Sequence, residues 1–413
     1  MALNPRRRRL PMALAVVMLG CFSVAVIVFG LNPRRAVNFG VYRVAAERFM
    51  RGETLYRESD AAMPFKYLPQ AALVFYPFLR IGDARASAVV WNLASVLALV
   101  AAFFQVARKT PSKPAALRSW TPLLLCCALS QSIWLELFYG QVDCVCLLCT
   151  ISSYVFAREK RSLLAGALLV LGVLLKPTAG WVLIAILLEG LWLTVTSFVV
   201  LFLVSFAPLF ARYGGAGAFG QLSEWRALVA RTTEPWVAGA NSQGIASTLI
   251  RLVRAVSSAE LSTYYAMALS VALCLSAILL ARRNEVRFSV SLLGVSLVSP
   301  LAWRANFVFA LPALFHGLEL RSKALKIACL LCLLVELLCS PFVLPEGALR
   351  VVLSWSPFGV AFGALGILLL AHRPAKLDGE ALRRLELESL SDEREQGGRG
   401  QVPVLPVVLA RAL

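Results

Sequence analysis

The feature that most constrains this chain is its succession of long apolar runs. The first extends from Met12 to Leu31, about 20 residues, which is the length that an α-helix needs to cross a hydrocarbon core of roughly 30 Å. Hydrophobic residues make up 59% of the chain and the mean hydropathy is +0.75, whereas soluble domains are about 45–50% apolar. Because a backbone in lipid must satisfy its own hydrogen bonds, the pattern predicts an all-α polytopic membrane protein.

Basic residues predict the orientation of the spans. Arg6 to Arg9 precede the first run and no small-x-small cleavage motif follows it, so we interpret the run as a signal anchor that enters from the cytoplasm. The next run, Tyr67 to Leu79, is short and contains two prolines. If it crossed the membrane, the basic segment from Arg108 to Arg118 would lie outside, so we expect the run to dip in and return.

This choice predicts about twelve crossings of the cell (plasma or inner) membrane, with both termini cytoplasmic and the later basic loops inside. Segments 32–86 and 212–262 are predicted external loops. Residues 1–371 form the predicted transmembrane domain, and 372–413 a cytoplasmic tail with an amphipathic helix at 378–390 and a flexible end. After the first, the predicted spans are 87–107, 121–138, 142–157, 163–175, 178–194, 196–211, 264–281, 286–302, 305–320, 324–344 and 351–371.

The charge and the cysteine content indicate which kinds of partner and cofactor to expect. The formal net charge is +18, and it belongs to the membrane part because the tail holds seven basic and seven acidic residues. No basic run is interleaved with stacking aromatics in a soluble module, so the charge favours membrane lipids and not nucleic acid. The ten cysteines lie in or beside apolar runs without a histidine or carboxylate cluster. We therefore interpret them as helix-face residues and predict no metal site and no cofactor.

The first external segment contains an amphipathic pattern. Its charged residues face away from an apolar stripe, which predicts a helix lying in the membrane interface, and Gly52 is expected to end it. Taken alone, such a helix is a plain interfacial anchor. The stripe consists of Phe39, Tyr42, Ala45, Ala46 and Phe49.

Polar residues gather at the predicted outer edge of the membrane. Asp143 ends one span, and Lys176 with Pro177 breaks another after about 13 apolar residues. A charge at a broken helix is a functional hypothesis by default, and convergence on one face favours a site. Plainer interpretations are snorkelling for the cations, capping for Asp143, and interhelical hydrogen bonding for the deeper carboxylates. The other residues concerned are Gln141, Asn241, Ser242, Trp303, Arg304 and Asn306 at the edge, and Glu136 and Glu336 deeper.

The sequence lacks two motifs that bind a soluble phosphorylated donor. It has no P-loop and no Asp-x-Asp metal clamp. A lipid-linked donor instead needs a basic group for its phosphate at headgroup depth, aromatic side chains for the sugar and isoprenoid, and a carboxylate to deprotonate an acceptor hydroxyl. The predicted outer face offers all three.

The same residues resemble a known family. The succession VNFGVYRVAAERFMRGETLY, FKYLP, YGQVD, a short apolar helix ending in Lys176-Pro177, NSQGIASTLIR and SPLAWRANFVFALP resembles glycosyltransferase family 87 over most of 36–320. This is the polyprenol-phosphate-mannose-dependent mannosyltransferase type with a GT-C fold. The resemblance implies external juxtamembrane helices and an enzyme that moves a mannose-like sugar from a polyprenyl phosphate carrier to an acceptor on the outer face, inverting the anomeric carbon.

The resemblance has two departures. The family's general base is an acidic residue of the first external loop, and Asn38 stands at that position, although an amide cannot accept the proton. Asp143 stands where the family usually has asparagine, so the carboxylate is one candidate for a relocated base. Arg304 follows Trp303 where the family often has histidine, and it would hold a donor phosphate at any pH. Other candidate bases are Glu47, Glu53, Glu58 and Asp60.

The leading hypothesis is thus a polyprenyl-phosphate-dependent hexosyltransferase acting on a lipid or glycan acceptor. Asp143 or a loop carboxylate is its base, and Lys176 and Arg304 hold the donor phosphate. Alternatives are a transporter or flippase, against which the halves do not repeat, and an inactive family member, for which Asn38 is the argument. The predicted cavity residues are Tyr42, Lys66, Tyr67, Trp303 and Asn306, with Asn38, Gln141 and Asn241 as hydrogen-bonding groups.

Overall fold

The protein is helical wherever the structure describes it. The computed structural model describes residues 5–32, 34–57, 63–108, 115–257, 259–320 and 322–372, and these ranges contain no β-strand. They belong almost entirely to one compact unit, 1–371. Its α-helices are α1 Pro5–Leu31, α2 Val37–Arg51, α3 Tyr76–Leu79, α4 Ala84–Arg108, α5 Ala115–Ala128, α6 Ser130–Tyr139, α7 Asp143–Arg158, α8 Ser162–Leu175, α9 Trp181–Leu188, α10 Trp192–Val204, α11 Ala207–Val237, α12 Ile245–Val256, α13 Thr263–Leu280, α14 Asn284–Leu297, α15 Leu311–Glu319, α16 Lys323–Leu338, α17 Glu346–Ser354 and α18 Pro357–Ala371.

Within the part of the chain that the structure describes, three 3₁₀ segments interrupt this series. They are Pro69–Phe75, Pro177–Gly180 and Arg304–Ala310. Proline stands first in two of them, and proline has no backbone N–H to continue a helical ladder. The interruptions at Pro69 and Pro177 therefore follow directly from the sequence.

The apolar helices lie where apolar runs predict spans, but several are short or bent. Within the described ranges, two helices are long and apolar enough to cross a membrane, Ala84–Ala107 and Thr263–Leu280. Three further helix pairs pass the same test together while bending by 56°, 48° and 41° at a break, which gives up to five spans. The predicted count of about twelve crossings and the cytoplasmic placement of both termini stay predictions.

The predicted amphipathic helix is present as α2, and its position in the membrane interface stays a prediction. Its apolar stripe is buried, and Gly52 ends it with φ +72°, its N–H donating to the carbonyls of Arg48 and Phe49. Phe39 stacks on Trp91 of α4 with ring centroids 5.7 Å apart, and Tyr42 stacks on Phe75 at 4.6 Å. The segment 69–79 thus packs on α2, and its eleven helical residues reach only about 20 Å, less than the ~30 Å of a hydrocarbon core.

The second predicted external segment contains helices that hold the first one. Three side chains of α11 reach it. Tyr213 Oη donates to the Glu53 carbonyl at 2.9 Å, Gln221 Oε1 accepts from the Leu55 N–H at 3.1 Å, and Trp225 Nε1 donates to the Lys66 carbonyl at 3.0 Å. Residues 53–57 and 63–67 are therefore held against α11.

Several predictions fall on residues outside the described ranges. These are the candidate bases Glu58 and Asp60, the basic segment 109–114, and the tail helix at 378–390.

Candidate active site

The candidate site is built on the junction between α6 and α7. Gly140 ends α6 with φ +64°, and a Cβ there would meet Phe39 Cβ at 2.9 Å, so glycine lets α2 approach the junction closely. The Ala36 N–H donates to the Phe138 carbonyl at 2.9 Å, and Trp91 Nε1 donates to the Gln141 carbonyl at 2.9 Å. The junction is thereby locked to both α2 and α4.

Two carboxylates lie at the start of α7. Asp143 opens the helix and is 1% exposed, and Glu136 is fully buried. Glu136 Oε1 accepts from the Cys144 N–H at 2.9 Å, one of the N–H groups that a helix cannot satisfy internally. The positive end of the α7 dipole thus lies against both acids and favours their negative charge.

Lys176 supplies the counter-charge. The residue leaves α8 in an extended conformation with φ −155° and ψ 106°, because Pro177 follows. Its Nζ lies 2.6 Å from Asp143 Oδ1 and 5.6 Å from the centroid of the Phe309 ring. The lysine side chain is 14% exposed, so of the two partners it is the one closer to solvent.

Each carboxylate keeps one oxygen without a partner. Glu136 Oε2 and Asp143 Oδ2 are buried, and neither has a hydrogen-bond partner among the described residues. A buried acceptor left unsatisfied costs about 1–3 kcal/mol, and more when it is charged. Such a cost is typical of sites whose groups meet a ligand or an acceptor hydroxyl.

A pair of tyrosines lies near the two carboxylates. Tyr42 Oη of α2 and Tyr67 Oη lie 2.9 Å apart, and Tyr56 Oη holds the segment by donating to the Tyr67 carbonyl at 2.8 Å. Burial raises the pKa of both Tyr42 and Tyr67, and the charges of Asp143 and Glu136 raise each further. Both phenols therefore remain protonated donors beside the acidic pair.

Within the described residues, the hydrogen bonds and ring contacts of the turn that contains Trp303 are with residues other than Lys176 and Asp143. Arg304 Nη1 donates to the Cys339 carbonyl at 2.8 Å at the end of α16, and the Arg304 carbonyl accepts from Ser132 Oγ at 2.7 Å. Asn306 is buried, and its Nδ2 donates to the Leu301 carbonyl at 3.0 Å, which shapes the turn. The Trp303 ring lies 6.3 Å from that of Tyr139, just before Gly140.

The other predicted site residues take separate places. Lys66 Nζ donates to the Thr232 carbonyl at 2.9 Å, which ties the first external segment to α11. Glu47 forms an exposed pair with Arg51 at 2.6 Å, on the face of α2 opposite its buried stripe. Further placements are Glu53 in an ion pair with Arg57, Asn241 exposed, and Asn38 and Gln141 buried.

Glu136 is a residue that the sequence did not place in the site. It was predicted to be an interhelical hydrogen-bond partner, and this is confirmed, since Glu136 of α6 accepts from the Cys144 N–H of α7; the bond also places it at the start of α7, where Asp143 lies. A signal for this role is its position four residues before Gly140, because a helix end at that glycine turns the chain back over the carboxylate. In the described ranges, no three His, Cys, Asp or Glu side chains come together in a way that could hold a metal ion.

Comparison with known proteins identifies the family. The model of glycosyltransferase family 87 matches residues 65–303, which is 303 − 65 + 1 = 239 of the 413 residues. No curated protein matches. Among solved structures, ArnT from Cupriavidus metallidurans, described as bound to undecaprenyl phosphate, is similar at 13% identity with a TM-score of 0.38, covering 95% of this chain and 81% of that one.

The matched range includes Tyr67, Glu136, Asp143, Lys176 and Trp303. The predicted resemblance is confirmed, and with it the all-helical, GT-C-like fold class. The chain belongs to glycosyltransferase family 87 and is a membrane glycosyltransferase.

Proposed function

We propose that the protein moves a mannose-like hexose from a polyprenyl phosphate carrier to a lipid or glycan acceptor at the outer face of the membrane. Membership of family 87 supports the transferase class, and the resemblance described above implies the donor type. The observation that carries the proposal is the buried Lys176–Asp143 pair, 2.6 Å long, with an unpaired carboxylate oxygen beside two tyrosine hydroxyls.

Lys176 binds the donor phosphate in this account. Its ammonium lies at a broken helix end and is 14% exposed, whereas Asp143 is 1% exposed, so an incoming phosphate meets the lysine first. A phosphate that pairs with Lys176 takes the place of Asp143 as its counter-charge. The ammonium then stabilises the negative charge that develops on the leaving phosphate, and Asp143 is freed from its ion pair.

Asp143 is the base in this account. The acceptor hydroxyl attacks the anomeric carbon from the face opposite the phosphate, and its proton passes to Asp143. The bond between the anomeric carbon and the phosphate oxygen breaks, and its electron pair leaves with the phosphate. Attack from the opposite face inverts the anomeric configuration. Glu136, at the same helix end and with an unpaired oxygen of its own, is the second carboxylate that can take this role.

The remaining groups bind and orient the sugar donor and the acceptor. Tyr42 and Tyr67 present phenol donors and aromatic faces to the sugar, and Trp303 adds a ring near the junction. Asn38, buried on the inward face of α2, is assigned to hydrogen bonding because an amide cannot act as a base. Arg304 is a second cation for the phosphate, and Gln141, Asn241, Lys66 and Asn306 complete the proposed cavity.

The test is a transfer assay with the purified full chain in proteoliposomes. Polyprenyl-phosphate-mannose, polyprenyl-phosphate-glucose and a soluble nucleotide sugar are offered in turn, with a panel of lipid and glycan acceptors. The proposal expects product from a polyprenyl donor, preferentially the mannosyl one, and none from the nucleotide sugar.

Three outcomes separate the alternatives. Preference for another polyprenyl-linked sugar removes the mannose assignment and keeps the donor class. Transfer from the nucleotide sugar overturns the donor class. Movement of a labelled lipid across the bilayer without any transfer supports the flippase alternative.

A further inference from the structure

A buried carboxyl group of another helix lies at the start of α6. Glu336, two residues before the end of α16, is 0% exposed, and its Oε2 accepts from the Ser132 N–H at 2.9 Å. Ser132 is the third residue of α6, so this N–H is one that the helix cannot satisfy internally. Glu336 thus caps α6, and it takes no part in the proposed transfer step.

Ser132 joins Glu336 to a further element. Ser132 is 0% exposed, and its Oγ lies 2.6 Å from Glu336 Oε1 and 2.7 Å from the Arg304 carbonyl oxygen. Both distances lie in the range of hydrogen bonds between oxygen atoms. The Arg304 guanidinium reaches the same place through its bond to the Cys339 carbonyl. The backbone and the side chain of Arg304 are therefore both held at the end of α16.

The number of protons in this chain fixes the state of the carboxyl group. A serine hydroxyl has one proton and a carbonyl oxygen only accepts, so Ser132 Oγ donates to the Arg304 carbonyl. The other contact, between Ser132 Oγ and Glu336 Oε1, then needs its proton from Glu336. An ionised carboxylate has no proton to give, and it would place two lone pairs against each other at 2.6 Å.

The surroundings of Glu336 also favour a neutral acid. Among the described residues it has no ion-pair partner, because the Arg304 guanidinium, whose charge acts on it, donates to the Cys339 carbonyl instead. Burying a charge without a partner costs far more than burying a neutral group whose hydrogen bonds are made. Both oxygens of Glu336 are satisfied when one donates and the other accepts.

From these contacts we infer that Glu336 is a protonated carboxylic acid that positions the turn of Trp303 and Arg304 against the start of α6. The chain of hydrogen bonds runs from Glu336 Oε1 through Ser132 Oγ to the Arg304 carbonyl. It bears on the site because Arg304 is assigned to the donor phosphate, and because Glu136, one turn after Ser132, accepts from the start of α7. Glu336 acts through Ser132 and is a positioning residue. This positioning role rests on the proposed function, whereas the protonation of Glu336 does not.

Infrared difference spectroscopy of the purified full chain tests the protonation at neutral pH. Subtracting the spectrum of Glu336→Gln from that of the wild type isolates the carboxyl group. We expect the variant to lose a carboxylic-acid C=O band and to keep the carboxylate bands unchanged. Loss of a carboxylate band in the variant would overturn the protonation. The measurement needs no substrate, so it gives an answer whatever the protein transfers.

Three variants test the positioning role by kinetics. Glu336→Gln keeps the chain, because the amide N–H can donate to Ser132 Oγ and the amide oxygen can accept from the Ser132 N–H. Glu336→Met removes both bonds. Ser132→Ala removes the hydroxyl and keeps the backbone N–H that caps α6, so it decides the question if Glu336→Met fails to fold. The matched control is Ser153→Ala, since Ser153 is also 0% exposed and donates to a backbone carbonyl, that of Ala165, at 2.7 Å.

The readout is the KM for the polyprenyl-phosphate donor in proteoliposomes, because KM does not depend on how much of the protein is folded. We expect Glu336→Met and Ser132→Ala to raise this KM about 10-fold, a factor that one hydrogen bond can supply. Glu336→Gln and Ser153→Ala should keep the wild-type KM.

Two kinetic results would overturn the positioning role. A change in Glu336→Gln as large as that in Glu336→Met means that the reaction needs the carboxyl group itself and not the chain of hydrogen bonds. Equal KM values in Ser132→Ala and Ser153→Ala mean that Ser132 is merely structural. Absence of transfer by the wild type from any polyprenyl donor removes the positioning role together with the proposed function, while the infrared result still decides the protonation.

Discussion

The Lys176–Asp143 ion pair offers a direct physical test of the site. Lys176→Met leaves Asp143, 1% exposed, without its counter-charge, whereas Asp143→Asn leaves a lysine that is 14% exposed and reaches water more readily. The two substitutions should therefore differ in cost. Together with the double variant they form a thermodynamic cycle that isolates the pair.

The magnitudes follow from burial. Removing one partner of a buried ion pair typically costs about 3–5 kcal/mol, because a buried charge is left alone, and we expect this for Lys176→Met. Asp143→Asn should cost about 1–2 kcal/mol because the partly exposed ammonium of Lys176 can rehydrate more readily than a fully buried carboxylate. The double variant should cost about 1 kcal/mol, since no charge is left uncompensated. The coupling energy is then about 3–6 kcal/mol, beyond the ~1.7 kcal/mol that neutral interhelical hydrogen bonds reach.

The assay is equilibrium unfolding by denaturant in mixed micelles, with one cycle at the site and one elsewhere. Glu346 and Arg350 form the control pair, because their side chains are 79% and 74% exposed at a similar distance of 2.5 Å. Their coupling should be below about 0.5 kcal/mol. Additive effects of the Lys176 and Asp143 substitutions within about 0.5 kcal/mol, or equal costs of the two single variants, would refute the reasoning.

Three further predictions concern the surroundings of the site. Tyr42→Phe should destabilise by about 1–3 kcal/mol, because it leaves the partly buried Tyr67 hydroxyl without its partner, and Tyr42→Phe/Tyr67→Phe should cost less than the sum of the two single substitutions. Gly140→Ala should lower the unfolding temperature, since φ is +64° and the Cβ meets α2 at 2.9 Å, whereas Gly40→Ala should raise it slightly. Burial lowers the pKa of Lys66 in the folded protein, so between that pKa and 10.5 the unfolded chain binds more protons than the folded one. The free energy of unfolding should therefore rise with pH across this window. Lys66→Met should flatten the rise, as measured by unfolding at a series of pH values.

Local patterns predicted α2 well. The spacing of Phe39, Tyr42 and Phe49 reports which face is buried, and Gly52 supplies the φ +72° that ends the helix. Both are properties of neighbouring residues. The same holds for the break at Lys176, because Pro177 alone dictates it.

Pairings between distant residues were harder to predict. Asp143 and Lys176 were each recognised at helix ends, but their contact spans 33 positions and depends on how α7 packs against α8. Arg304 was likewise recognised at a helix break, but its hydrogen bond to the Cys339 carbonyl spans 35 positions and depends on how the end of α16 packs. The number of spans was hard to predict for a similar reason. A helix pair that bends by 41–56° can either cross the membrane or return to the same side, and its composition fits both.

The most direct test of the central claim is the initial rate of transfer from polyprenyl-phosphate-mannose by Asp143→Asn in proteoliposomes. The matched control is Glu189→Gln, a substitution of another largely buried carboxylate, which pairs with Tyr154 and lies outside the site. If Asp143 takes the acceptor's proton, its variant loses at least about 100-fold in kcat while the control keeps wild-type turnover. Unchanged turnover in Asp143→Asn would contradict the account.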